Sequence, residues 1–85
     1  MSDQNFYICR GPNIWGRGGN PSEALKNAKK QGRPRAEPGQ ACFAIDRCHP
    51  DTYVTGLGGL TFPTEHPPTF IGYYDINGKV PTEMP

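Results

Sequence analysis

The stretch Asn20-Pro21-Ser22-Glu23-Ala24-Leu25-Lys26-Asn27-Ala28-Lys29-Lys30-Gln31-Gly32 decides how the rest of the chain is read. The side-chain oxygen of Asn20 can accept one of the free N–H groups at a helix start. Pro21 suits the first helical position, where its missing N–H is not needed, and Glu23 stands where a capping box places its carboxylate. Ser22 to Gln31 are mostly good helix formers, Gly32 favours termination and Pro34 blocks continuation. The pattern predicts a helix over residues 21–31. Its apolar face is narrow, made of Ala24, Leu25 and Ala28, and the two alanines allow close approach to a sheet. The opposite face carries Lys26, Lys29 and Lys30, with Arg33 just past the end. Lysines in a last turn also suit the negative end of the helix dipole, which is a local reason for them without any partner.

Toward the N-terminus, Phe6-Tyr7-Ile8-Cys9 has the aromatic and β-branched content of a strand, ended by Gly11-Pro12-Asn13. Ile14 and Trp15 form a short apolar island, and Gly16-Arg17-Gly18-Gly19 reads as a flexible turn into the helix. Toward the C-terminus, Arg33 to Gln40 is a polar loop. Ala41 to Ile45 is a strand apolar on both faces, and Cys48-His49-Pro50-Asp51 is a turn. Tyr53-Val54 start a third strand that Gly56 to Gly59 interrupts and Leu60-Thr61-Phe62 resumes. After the proline-rich loop Pro63 to Pro68, Thr69 to Tyr74 is a strand in which Tyr73 and Tyr74 point to opposite faces. Asn77-Gly78 predicts a two-residue hairpin turn, with a return arm, Lys79-Val80, cut short by Pro81. This order describes an α+β domain: one helix packed on a small, mostly antiparallel three- to four-stranded sheet with long loops. Residues 1–80 read as a single domain and 81–85 as a flexible tail.

Composition bounds the function. With 85 residues, the chain holds one domain and a thin core. Eleven glycines and ten prolines with 34% hydrophobic residues approach a disordered composition, but 11% aromatic content and a net charge of +1 favour a folded centre. No apolar run is long enough to cross a bilayer, and the polar start Ser2 to Asn5 lacks the apolar core of a signal peptide, so a cytoplasmic location is expected. Three cysteines, an odd number, argue against a disulfide framework.

Three constellations bear on chemistry. Gly11 to Gly19 lies where phosphate-binding loops sit, before a helix N-terminus. Gly11 and Gly16 have P-loop spacing, but Arg17 and Gly18 follow instead of Lys and Ser/Thr. Pro21 occupies the place of the third glycine in a dinucleotide fingerprint. Cys9, Cys42, Cys48 and His49 are zinc-ligand types without the close pairs of structural zinc sites, and read as buried or half-buried thiols. Cys48, His49 and Asp51 supply the types of a nucleophile, base and orienting carboxylate, but adjacent side chains in one turn diverge. His66 reads as solvated in its proline-rich loop. No catalytic set, metal or cofactor is expected.

Binding features are clearer. Lys26, Lys29, Lys30, Arg33 and Arg35 form a positive strip of the kind that contacts phosphates, within a chain whose pI of 7.7 is not that of a dedicated nucleic-acid binder. Trp15, Tyr53, Tyr73 and Tyr74 exceed what a thin core holds, and Trp, Tyr and Arg dominate protein interfaces. Trp15 either anchors a partner or covers the helix–sheet seam. The segment Tyr7 to Gly32 resembles the opening of small proteins of bacteriophages and mobile elements: a strand, a Trp/Tyr-Gly-x-Gly turn, then Glu-Ala-x-x-Asn-Ala. Here these positions are Trp15, Gly16, Gly18, Glu23, Ala24, Asn27 and Ala28. The resemblance implies an anti-CRISPR or other anti-defence inhibitor that occludes a host protein or ribonucleoprotein complex without catalysis. This chain departs from the acidic, DNA-mimicking inhibitors of that kind. The expected function is a non-enzymatic protein-binding inhibitor or regulator making contacts through Trp15, Arg17, Lys26, Lys29, Lys30, Arg33 and Arg35. The alternative is a nucleic-acid-binding module using the basic helix face.

Overall fold

The computed structural model describes residues 4–11, 14–32, 36–56 and 59–79. The helix, α1 (Pro21–Lys29), starts as its sequence predicts. Asn20 caps it by accepting the Glu23 N–H at 2.8 Å, and the Glu23 carboxylate accepts the Gly19 N–H at 3.3 Å. Such a cap contributes about 1 kcal/mol. The C-terminus closes through tightened turns, Gln31 N–H to Ala28 carbonyl and Gly32 N–H to Lys29 carbonyl, and Gly32 does not adopt a left-handed conformation.

Four strands form the main sheet: β1 (Phe6–Gly11), β2 (Ile14–Gly18), β3 (Phe43–Cys48) and β6 (Thr69–Tyr74), in the order β2-β1-β3-β6 with antiparallel neighbours. Because β2 and β3 both run against β1, the connection through α1 joins two parallel strands across β1. The fold is α+β, one helix on a mostly antiparallel sheet. A separate two-stranded ladder, β4 (Tyr53–Val54) with β5 (Leu60–Thr61), accompanies it. These two segments face each other as a hairpin and do not form one interrupted strand, because the turn at Gly56 reverses the chain and Thr55 N–H bonds the Gly59 carbonyl at 2.9 Å.

The turn expected at Gly16 to Gly19 is corrected: Ile14 to Gly18 is strand β2. Alternation explains it. Ile14, Gly16 and Gly18 face the helix, while Trp15 and Arg17 face away. Glycine takes the inward positions because the helix backbone fills the space a side chain would need. A Cβ on Gly16 would lie 2.1 Å from the Ala28 nitrogen, and one on Gly18 2.5 Å from the Ala24 nitrogen. The helix also covers the outer edge of β2, where Gln31 Oε1 accepts the Trp15 N–H at 3.1 Å and Asn27 Nδ2 donates to the Arg17 carbonyl at 2.6 Å. This occupies backbone groups that an edge strand otherwise offers to another chain.

The sheet buries two clusters. On the helix side, Cys9, Ile14, Phe43 and Ile45 pack with Ala24, Leu25 and Ala28, flanked by Tyr7, Cys42 and Tyr74. On the second side, Phe6, Ile8 and Cys48 are covered by Trp15, Val54 and Leu60. Trp15 therefore lies away from the helix–sheet seam. The C-terminal turn also differs from the two-residue loop expected at Asn77-Gly78. Asp75 and Lys79 close a three-residue loop by a 2.8 Å backbone bond, with Gly78 left-handed at φ +81°. The Asp75 carboxylate selects this geometry by accepting the N–H groups of Asn77 and Lys79.

Candidate partner-binding surface

The second side of the sheet is built from alternate residues of all four strands. β1 supplies Phe6, Ile8 and Arg10, β2 supplies Trp15 and Arg17, and β3 supplies Ala44, Asp46 and Cys48. The contribution of β6 depends on a bulge. Ile45 pairs with Gly72, but Asp46 pairs with Phe70, so Ile71 drops out of the ladder. Without that extra residue Phe70 and Tyr73 would point to opposite faces. With it they share the second face and meet edge to face at 5.1 Å.

Part of this side is covered and part is open. The β4–β5 hairpin lies over Phe6, Ile8 and Cys48, and the Trp15 indole N–H donates to the Gly56 carbonyl at 3.3 Å. Phe70 stays 52% exposed, Tyr53 in the hairpin is 70% exposed, and Phe62, just after it, 42%. Exposed aromatic residues of this kind are candidates for partner contact. Charge on this side is largely engaged. Arg10 pairs with the buried carboxylate of Asp46, and the Arg17 guanidinium lies over the Phe6 ring, 3.9 Å from its centroid.

The sequence-predicted contact residues do not form one surface. Trp15 and Arg17 lie on the second side, whereas Lys26, Lys29 and Lys30 are exposed on the helix, beyond the other side of the sheet. Arg33 and Arg35 lie outside the described residues. Phe62, Phe70 and Ile71 were not singled out by sequence reasoning, because just past a two-residue strand and at a bulge, alternation alone does not tell an outward side chain from a core one.

The remaining chemical groups are arranged as follows. Cys48, His49 and Asp51 stand in a turn closed by Thr52 N–H to His49 carbonyl, at 2.9 Å. His49 Nδ1 accepts the Asp51 N–H at 3.1 Å. Burial first, then the Asp46 charge, push the Cys48 thiol up to about 11, so it is not a poised nucleophile. The Cys9 thiol is pushed up to about 12, chiefly by burial. His66 is not merely solvated: its ring stacks on His49 at 3.9 Å and 4°. Parallel imidazoles direct their lone pairs along parallel planes that do not converge on an ion. Among the described residues no group of three or more His, Cys, Asp or Glu is arranged to hold a metal. The pair borders a shallow cavity of about 320 Å³ shared with Asn5, Arg47, Glu65 and Thr69. Among the described residues no helix is long and apolar enough to cross a membrane.

No protein-family model, curated protein or solved structure matches the chain.

Proposed function

We propose that this domain works by binding a protein partner through the second side of its sheet, and that it regulates or inhibits that partner by covering its surface. The observation that carries this reading is the separation of aromatic groups from free cations. Binding of single-stranded nucleic acid needs stacking rings and backbone-tracking cations in the same groove. Here Phe70, Tyr73 and Trp15 lie on one side of the sheet, and Lys26, Lys29 and Lys30 lie on the helix beyond the other. A side with Phe70 exposed and Trp15 and Tyr73 half-buried, whose Arg10 pairs with Asp46 and Arg17 lies over Phe6, suits an apolar and polar protein surface better than a phosphate backbone. The resemblance of Tyr7 to Gly32 to phage and mobile-element proteins adds the expectation that the partner is a host defence protein.

The test compares two sets of substitutions. Phe70→Asp with Tyr73→Ser should weaken capture of a stoichiometric partner from host lysate at least tenfold, the loss expected when central aromatic contacts are removed. Lys26→Gln, Lys29→Gln and Lys30→Gln together should leave it unchanged. The opposite outcome, with retention in the aromatic variant and a steeply salt-dependent gel shift lost in the lysine variant, would establish the nucleic-acid reading instead.

A further inference from the structure

Between β3 and β6 the chain leaves the main sheet, and this excursion carries the β4–β5 hairpin as a flap over the second side. Among the described residues, the flap is anchored at few points. Its two-residue strands pair with each other, Val54 and Leu60 rest on Phe6, Ile8 and Cys48, and Gly56 receives the Trp15 indole. A hairpin this short has little stability of its own. At its base the Thr52 hydroxyl is buried with no hydrogen-bond partner among the described residues, so opening hydrates a group left unsatisfied when the flap is closed. His49 stands just before the flap and His66 just after it. Their stack, at 3.9 Å, ties the two stems together.

We propose that the His49–His66 stack is a pH-sensitive clasp, holding the flap closed over the sheet while the imidazoles are neutral and releasing it when both are protonated. In the closed form His49 Nδ1 accepts the Asp51 N–H at 3.1 Å. A proton there removes the acceptor and draws in the Asp51 carboxylate, 3.7 Å away, instead. A second proton, on His66, sets two like charges face to face. Among the described residues, the charged groups around the pair are Asp51 from the preceding turn, Glu65 from the returning loop and Arg47 from β3. Arg47 adds a further positive charge beside the pair. In water, two unit charges at about this separation shift a two-state equilibrium about fivefold. Imidazole is the side chain that changes charge between pH 8 and pH 5. Segments held mainly by short local pairing open at low free-energy cost and respond to a factor of that size. Opening uncovers Phe6, Ile8 and Cys48 and frees the Trp15 indole, which enlarges the apolar area of the second side.

Trp15 is the single tryptophan and is bonded to the flap, so quenching of its fluorescence by acrylamide, a neutral probe, reads the flap directly. The wild-type chain is measured without any partner at pH 8 and pH 5. The open population is expected to rise about fivefold, giving stronger quenching that reverses on return to pH 8. His66→Tyr keeps a flat ring on His49 but removes one of the two protons; it should match wild type at pH 8 and lose the rise at pH 5. His66→Ala removes the clasp and should show at pH 8 the quenching that wild type shows at pH 5. Equal quenching of wild type at the two pH values, or the full rise retained in His66→Tyr, overturns the clasp. Because no partner is present, this result is independent of whether the sheet binds one.

Discussion

Asp75 shows how one side chain can set local geometry. Lys79, Gly39 and Asn77 each donate a backbone N–H to its carboxylate, which ties the loop before β3 to the turn after β6. These bonds, that from Lys79 first, hold the Asp75 carboxyl below its ordinary value of 3.8. A carboxyl lowered by folding adds stability that is fully present above its unfolded value and is lost as pH falls through its folded one. Asp75→Asn should therefore be less stable than wild type at pH 7. The gap should close as pH is lowered from 5 toward 2, as measured by denaturant unfolding at each pH. Asn77-Gly78 was legible as a turn from sequence, but the loop length was not. The carboxylate two residues before Asn77 decides it, by a contact that propensity does not encode.

The packing of α1 on β2 is the central contact between elements, and it depends on what two residues lack. Gly16 and Gly18 bring the strand against the helix backbone at Ala24 and Ala28, so Gly16→Ala must displace main-chain atoms. We expect it to cost at least about 3 kcal/mol and to lower the thermal midpoint read by circular dichroism. Gly19→Ala, with nothing within 4 Å of the added carbon, should change stability little. The same contact gives a physical account of the sequence from Trp15 to Ala28. The glycines clear space for the alanines, Glu23 completes the cap, and Asn27 closes the strand edge. The helix was legible from its cap and its alanine stripe. The strand beneath it was not, because two glycines within five residues read as a turn until the helix occupying their missing side chains is seen.

Across the whole molecule, one sheet supports two cores, and β1 and β3 contribute to both. Loss of either face removes the backing of the other, so the two should unfold together. The thiols report this: Cys9 is buried in the helix-side core, Cys48 in the other, and Cys42 is half-buried at the margin. At neutral pH, Cys42 should react with a thiol reagent first, at least about tenfold faster than Cys9. Labelling of Cys9 should follow the same denaturant midpoint as far-UV circular dichroism, with mass spectrometry locating the label. The chain by itself determined the helix, its start, its buried stripe and outward lysines, the strands at Phe6 and Thr69, and the α+β class. These follow from capping chemistry and periodicity, which act over a few neighbouring residues. Only the tertiary structure decided that Ile14 to Gly18 is a strand, that Ile71 bulges so Phe70 and Tyr73 share a face, that His66 meets His49, and that Trp15, Phe70 and Tyr73 lie on the opposite side of the sheet from Lys26, Lys29 and Lys30. Each of these depends on atoms distant in sequence competing for the same space, and no local pattern records the outcome.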